Sequence, residues 1–304
     1  MIDERLDRQL LALNKRYQDL FYSATNEKKI KVNRYLSNIQ SLDIKRIIED
    51  VEYSKYARQH FSVNGNVACQ MRSEIDCSNC RIAVYSCIVG NYDDVIEPVY
   101  KEDSIDYFMF TDQDLPESSA WTKINIGEFD DYQNLNASQL NRKIKILQTE
   151  RLLQYDYTIY VDGNIEIVSG VSPMITQMGR CGLGVHFHRG RDCIYDEAVA
   201  VKHLKRIDGK DMFDQLDGYR QEGFPRHFGL YENSILIRNN RDSETMELMR
   251  AWWEEFCAHP TRDQLSFPYI IWKMGYNKEK ICILGNNVER NPRFNRFYNH
   301  KNSQ

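Results

Sequence analysis

The sequence predicts an α/β fold, a mostly parallel sheet flanked by helices, preceded by a helical N-terminal extension. Three observations carry that prediction. Short apolar and aromatic runs, IAVYSCIVG from residue 82, YFMFTD from residue 107 and YTIYV from residue 157, have the length of buried strands and end at a glycine or a carboxylate. Between the second and third lies NASQLNRKIKILQTERLLQ, a helix-length segment, and strand, helix, strand is the order of a parallel sheet. At 304 residues the chain is also long enough to bury a substantial core.

Residues 1–75 read as helical and highly charged. Leu6, Leu10, Leu13, Tyr17 and Leu20 recur at the spacing of a coiled-coil seam or helical hairpin, and Val32, Leu36, Ile39, Ile44, Ile47, Ile48 and Val51 form a second set. Such an extension either packs on the main domain, pairs with a second copy or touches a membrane-bound partner. Nothing in it looks catalytic. The α/β domain, residues 81–304, begins at Arg81. Its first helix is capped by Asn136 or Ser138 and places Leu140, Ile144, Leu147 and Leu152 on one face. In YTIYVDGNIEI, Tyr157, Ile159 and Val161 alternate with Thr158, Tyr160 and Asp162, the period of a strand that ends on an acid. Asp162-Gly163-Asn164 is then either a tight turn or a metal cradle. Further strands are expected at GLGVHFH and NSILIRN, and helices at SETMELMRAWWEEFCAH and LSFPYIIWKMG.

Composition excludes some functions. With 40 Lys+Arg against 44 Asp+Glu the net charge is -4, which argues against a nucleic-acid partner held by a basic surface. No apolar run approaches the roughly 20 residues of a membrane-spanning helix, and MIDERLDRQL is too charged for a secretory signal. A cytoplasmic location is expected. The eight cysteines are scattered and should be free thiols; Cys69, Cys77 and Cys80 offer three thiolates to zinc, but no fourth ligand follows at a finger-like spacing. No glycine-rich phosphate loop of the dinucleotide or P-loop type occurs.

Ligands of open parallel sheets bind beyond the carboxyl ends of strands. There the sequence places Ser86, Gly90 and Tyr92; Thr111 and Asp112; Asp162 and Asn164; His186 and His188; and Glu232 with Asn233. A phosphate bound among them needs neutralising, and Mg²⁺ or Mn²⁺ on Asp162 is one way, since these ions take few carboxylates plus phosphate oxygens. A competing pattern is His186 and His188, two apart on a strand, with Asp192 nearby, as in metal-dependent hydrolases. Satisfied structural histidines are the plainer alternative.

YVDGN after a basic helix, GLYENSILIRN and RDQLSF, in that order, resemble the hexosyltransferase-like domain family first catalogued as a domain of unknown function, found in plant mucilage-synthesis proteins and bacterial surface-polysaccharide loci. The order is also similar to that of glycogenin-like retaining transferases of the GT-A fold. The resemblance covers about residues 81–300 and implies a GT-A-like domain that uses Mn²⁺ or Mg²⁺ to transfer a hexose from a nucleotide-diphosphate sugar, UDP-hexose foremost, to a glycan or glycolipid acceptor in surface polysaccharide synthesis. A cytoplasmic enzyme of this kind could work at the inner face of the membrane, and the helical pattern of residues 1–75 offers a contact to a membrane or a second copy.

Carried over by position, Asp162 and Asn164 stand where the family's Asp-x-Asp binds metal and diphosphate, with Asn164 in place of the second acid. His300 stands where a C-terminal histidine completes the metal shell. The resemblance assigns Ser86, Tyr92, Asp112, Arg142, Lys145 and Asn233 to the donor, with Asp112 toward the base or ribose. Asn233-Ser234 matches the sugar pocket, although Ile235 replaces its glycine; Glu232, Asp263 and Gln264 stand near the reacting sugar. Arg290, Arg293 and Arg296 are positioned to close over a diphosphate. HFHRGRDCIYDEA becomes the acceptor-facing segment, through His188, Arg189, Arg191, Asp192 and Glu197. Asn164 and Ile235 also keep open a non-catalytic sugar-nucleotide-binding scaffold.

Overall fold

A computed structural model describes residues 4–24, 44–63, 77, 79–205 and 209–298. Among the described residues two helices come first, α1 (Glu4–Ala24) and α2 (Ile44–His60). The domain then runs β1 (Ile82–Ile88), β2 (Ile105–Thr111), β3 (Thr122–Asn125), α3 (Ala137–Leu147), α4 (Glu150–Leu153), β4 (Tyr157–Val161), β5 (Ile165–Ile167), α5 (Ser172–Met178) and β6 (Leu183–Phe187). It ends with α6 (Ile194–Lys205), α7 (Lys210–Gln221), β7 (Tyr231–Asn239), α8 (Ser243–Ala258), α9 (Asp263–Lys273), β8 (Ile281–Gly285) and β9 (Phe294–Arg296).

Seven strands form one sheet in the order β3-β2-β1-β4-β7-β6-β8, and β5 pairs with β9 in a ribbon of two. Every pairing in the large sheet is parallel except those of β7, which runs against both β4 and β6. The sheet is apolar on both faces, as a sheet covered on both sides must be. Tyr85, Phe110, Tyr160 and Leu236 face one core with α3, α8 and α9; Val84, Met109, Ile159 and Ile237 face another with α5.

Asn136 caps α3: its side chain accepts the N–H of Gln139 at 2.9 Å, and the Gln139 side chain accepts the N–H of Asn136 at 3.1 Å. The expected single helix through Leu152 is two, because Gln148 adopts φ 66° and ends α3 before α4 restarts. The end of α3 is held from β7. Arg238, fully buried, donates to the carbonyl oxygens of Lys145 at 2.7 Å and Ile146 at 2.9 Å, and its other amino group contacts the Tyr85 hydroxyl. A guanidinium at a helix C-terminus meets the negative end of the dipole.

The N-terminal helices lie against this body, α2 through the Asp50 to His203 pair at 2.9 Å and α1 through its polar side. Asp7, Asn14 and Gln18 are buried while Leu13 and Leu20 of the expected seam are 68% and 73% exposed. The seam therefore does not seat α1 on the domain; hydrogen bonds do. Val32, Leu36, Ile39 and Cys69 lie outside the described residues, and among the described residues Cys77 and Cys80 form no disulfide.

Replacing Arg238 by leucine keeps the apolar contacts but strands two helix-end carbonyls, so a loss of about 1–3 kcal/mol is expected. Urea unfolding followed by circular dichroism measures it; an unchanged midpoint would show that the clamp contributes nothing.

Candidate active site

At the carboxyl edge of the parallel strands lies a cavity of about 580 Å³. β4 delivers Asp162 to it. The chain then turns: the Asp162 carbonyl accepts the N–H of Ile165 at 3.0 Å, and Gly163 passes so near β1 that a Cβ there would stand 2.5 Å from Ile88. Asp162-Gly163-Asn164 is thus a tight turn in its backbone, and its Asp162 side chain still lines the cavity. Because β7 runs backwards, its first residues reach the same edge, where Asp162 donates its N–H to the Ser234 carbonyl at 2.8 Å. That reversal brings Glu232, Asn233 and Ser234 beside Asp162.

α3 and α9 supply the floor. Lys145, 3% exposed, stands 2.8 Å from Asp263 and 3.6 Å from Asp162, and Arg142 stands 3.2 Å from Asp263. Two cations and two carboxylates thus form one buried array. Burial pushes the Asp263 carboxyl up, yet Arg142 and Lys145 outweigh it and hold the group well below the usual carboxylate range. Asp263 also opens α9, where an acid in the first turn suits the helix dipole. Gln264 lines the cavity and donates to the Tyr231 carbonyl at 2.8 Å.

On the opposite wall, burial pushes Glu232 up to about 7, against the pull of Arg296 at 3.3 Å. Asn233 is buried against the cavity, and both ends of its amide lack a hydrogen-bond partner among the described residues. Asn164 donates its amide to the Phe297 carbonyl at 2.9 Å, which leaves its oxygen for another partner. Tyr92 stands at the rim, half exposed.

Not every expected residue arrives here. Ser86 is buried on β1 away from the lining, and Asp112 accepts the Gly90 N–H at 2.8 Å, holding the turn after β1 instead of facing the cavity. Of the acceptor-side set only His188 and Glu197 line the cavity; Arg191 pairs with Glu197 at 2.6 Å behind it. Asp192 turns to His227 at 2.7 Å and to Ser62 at 2.7 Å. Arg189 is drawn to Glu289, Arg290 to Asp19 and Arg293 to Asp7, so of the C-terminal arginines Arg296 alone lines the cavity. His300 lies outside the described residues. Asn141, Thr261 and Arg262 line the cavity without having been anticipated. Asn141 lies four residues before Lys145, the spacing of one helix face, which is the signal that marks it.

The hydrolase constellation is not assembled. His186 is fully buried, contacts the Asn291 amide at 3.0 Å and is pushed by burial down to about 3. His188 accepts the N–H groups of Gly190 and Arg191, and burial holds it at about 4 despite Glu197. Among the described residues, the group with metal-ligand spacing is Cys193, Asp196 and His227, and there Asp196 is already paired with Arg226 at 2.5 Å. A hard cation is better matched at Asp162 and Asn164, whose carboxylate and amide oxygens suit Mg²⁺ or Mn²⁺ when phosphate oxygens fill the remaining positions.

No curated protein matches this sequence. Among solved structures, the galactosyltransferase LgtC, in complex with donor and acceptor sugar analogs, aligns at 12% identity and a TM-score of 0.36 over 66% of this chain and 72% of its own. The bifunctional glycosyltransferase WbbM, in its apo form, aligns at 7% identity and a TM-score of 0.40 over 73% of this chain, which spans 46% of WbbM. A family model described as TOD1/MUCI70, glycosyltransferase-like domain, matches residues 53–300. That stretch contains every strand of the sheet and every residue of the cavity, and the chain belongs to the TOD1/MUCI70 glycosyltransferase-like domain family.

Proposed function

We propose that this chain is a metal-dependent transferase that moves a hexose from a nucleotide-diphosphate sugar, with UDP-hexose the leading donor, to a hydroxyl of a glycan or glycolipid. The observation that carries the reading is the convergence of Arg142, Lys145, Asp162, Asp263, Glu232 and Asn233 on one cavity at the edge where such sheets bind ligands. Arg142 and Lys145 supply fixed positive charge to a diphosphate, already oriented by Asp263. Asn233, with a donor and an acceptor unspent, suits the hydroxyls of a sugar.

Asp162 and Asn164 would hold Mn²⁺ or Mg²⁺, which neutralises charge on the departing diphosphate when bound. Glu232, balanced near neutrality by burial, is suited to hold or take up a proton on the acceptor side. His188, kept neutral in the same wall, has its Nδ1 taken by the N–H groups of Gly190 and Arg191 and its Nε2 3.3 Å from Arg191, so its part there is to orient Arg191 and Glu197 beside the cavity. Tyr92 at the rim offers an aromatic face to a nucleotide base.

Titrating Mn²⁺ by calorimetry with and without UDP tests the reading. Weak binding alone and tight binding with UDP is expected, because the phosphate oxygens complete the shell; no response to UDP with either Mn²⁺ or Mg²⁺ would end it. Turnover of UDP-hexoses with glycan acceptors then separates a transferase from a scaffold that only binds. Asp162→Ala should reduce transfer by about 100-fold or more with only a small fall in melting temperature, because Asp263 at 2.8 Å still meets Lys145.

Glu232 gives a pH signature. Its folded value, about 7, exceeds the ordinary 4.5, so its contribution to stability is complete below 4.5 and lost as pH rises through 7. His186 and His188, held by burial at about 3 and 4, act in the opposite sense over the same window, so the readout is the difference between the protein and Glu232→Gln: across pH 4.5 to 7 the substitution should remove a stability loss of about 3 kcal/mol, measured by urea unfolding. A slope unchanged by the substitution would place the titrating group elsewhere.

A further inference from the structure

α1 stands outside the stretch that the family model matches, yet it is attached at the edge of the candidate site. Its buried polar residues Asp7, Asn14 and Gln18 share one side of the helix, seven and four residues apart. Asn14 donates its amide to the carbonyl oxygens of Pro292 at 2.8 Å and Phe294 at 3.4 Å. Gln18 donates to those of Phe294 at 2.8 Å and Asn291 at 3.1 Å. Asp7 accepts the N–H of Gly170 at 2.8 Å and faces Arg293 at 3.4 Å.

These carbonyls lie on the first residue of β9 and the segment leading into it. The Arg293 carbonyl accepts from Val168 on the β5 side, while those on either side of it, Pro292 and Phe294, point the other way, to α1. Two amide side chains therefore do the work of a neighbouring strand along an edge that would otherwise open to water. What that edge carries is the site. Arg296, at the end of β9, reaches Glu232 at 3.3 Å, and the next residue, Phe297, exchanges bonds with Asn164, donating its N–H to the Asn164 carbonyl and accepting the Asn164 amide, each at 2.9 Å.

We propose that α1 is an edge clamp on β9, with Asn14 and Gln18 as positioning residues that set Arg296 and Asn164 in the cavity. The part of this that concerns ligand affinity rests on reading the cavity as a nucleotide-sugar site; the clamp itself does not. The N-terminal helix is then a component of the site, added from outside the matched family stretch. Its effect travels through contiguous hydrogen bonds from helix to strand to cavity wall.

The test uses the full chain carrying Asn14→Leu with Gln18→Met, which keep size and helix preference and remove the donors. Each single variant is measured as well, so that a poorly folding double variant leaves two independent answers. Hydrogen exchange by mass spectrometry should show amides of residues 294–297 exchanging about tenfold faster, with β1 and β4 unchanged. Unchanged exchange at 294–297, or equal acceleration throughout the sheet, would overturn the clamp. UDP titration in the presence of Mn²⁺ supplies the second readout, in a cycle with Arg296→Ala. Weakened binding that fails to add to the Arg296→Ala loss is expected, because both changes act through one contact; full additivity would overturn the link from α1 to Arg296. If the unaltered chain binds no UDP, the donor-site reading fails, and the exchange result still decides the clamp.

Discussion

An ammonium group taken out of water costs several kcal/mol unless carboxylates meet it, and Lys145, buried at the floor of the cavity, is met by Asp263 and Asp162. The pairing ties together three elements distant in sequence: α3 brings the cation, β4 ends on one acid and α9 begins with the other. Arg142 adds a second cation to Asp263, so neither carboxylate nor ammonium is left alone in low dielectric. None of this survives a displaced α3. Its last turn is therefore fixed in turn by Arg238 and Tyr85, which bind the carbonyl of Lys145 itself. The residue whose side chain makes the array has its backbone held from the layer beneath.

One reversed strand does the rest. Had β7 run parallel to its neighbours, Asn239 would lie at the carboxyl edge and Glu232 at the far end of the sheet. Running antiparallel, with Val161 opposite Ile235, it sets Glu232, Asn233 and Ser234 immediately beside Asp162. A floor of paired cations and carboxylates then faces a wall that holds an acid near neutrality and an unsatisfied amide. Under the proposed function the first would meet a diphosphate and the second the hydroxyls of a sugar.

Two elements far apart in sequence, α1 and β9, also meet here. β9 lies along β5, directly after the turn that presents Asp162 and Asn164, and α1 lies along the other edge of β9. The acceptor-side segment after β6 is by contrast largely paired within the protein: Arg191 with Glu197 and Asp192 with His227. Residues that look chemical in the sequence there are spent on holding α6 and its flanking loops, and only His188 and Glu197 keep a face to the cavity.

Local patterns were enough to read β1, β2, β4, β6 and β7, the cap at Asn136, and Asp162 at a strand end, because strand alternation, capping and turn chemistry act over a few neighbours. The same reading placed Glu232 and Asn233 beside a strand, while Arg142, Lys145, Asp263 and Gln264 were marked by the family resemblance; all six now line one cavity. It did not find β5 and β9, which are too short to carry a period and exist only as each other's partner. Nor did it show that Gln148 breaks the helix, that Asp112 holds the Gly90 N–H through one oxygen, or that α1 docks by Asn14 and Gln18 while Leu13 and Leu20 stay exposed. The physical reason is common to all of these. Whether a polar side chain is left for a ligand or used up on the protein depends on donors and acceptors brought from remote parts of the chain, and burial alone decides whether leaving them unpaired can be tolerated.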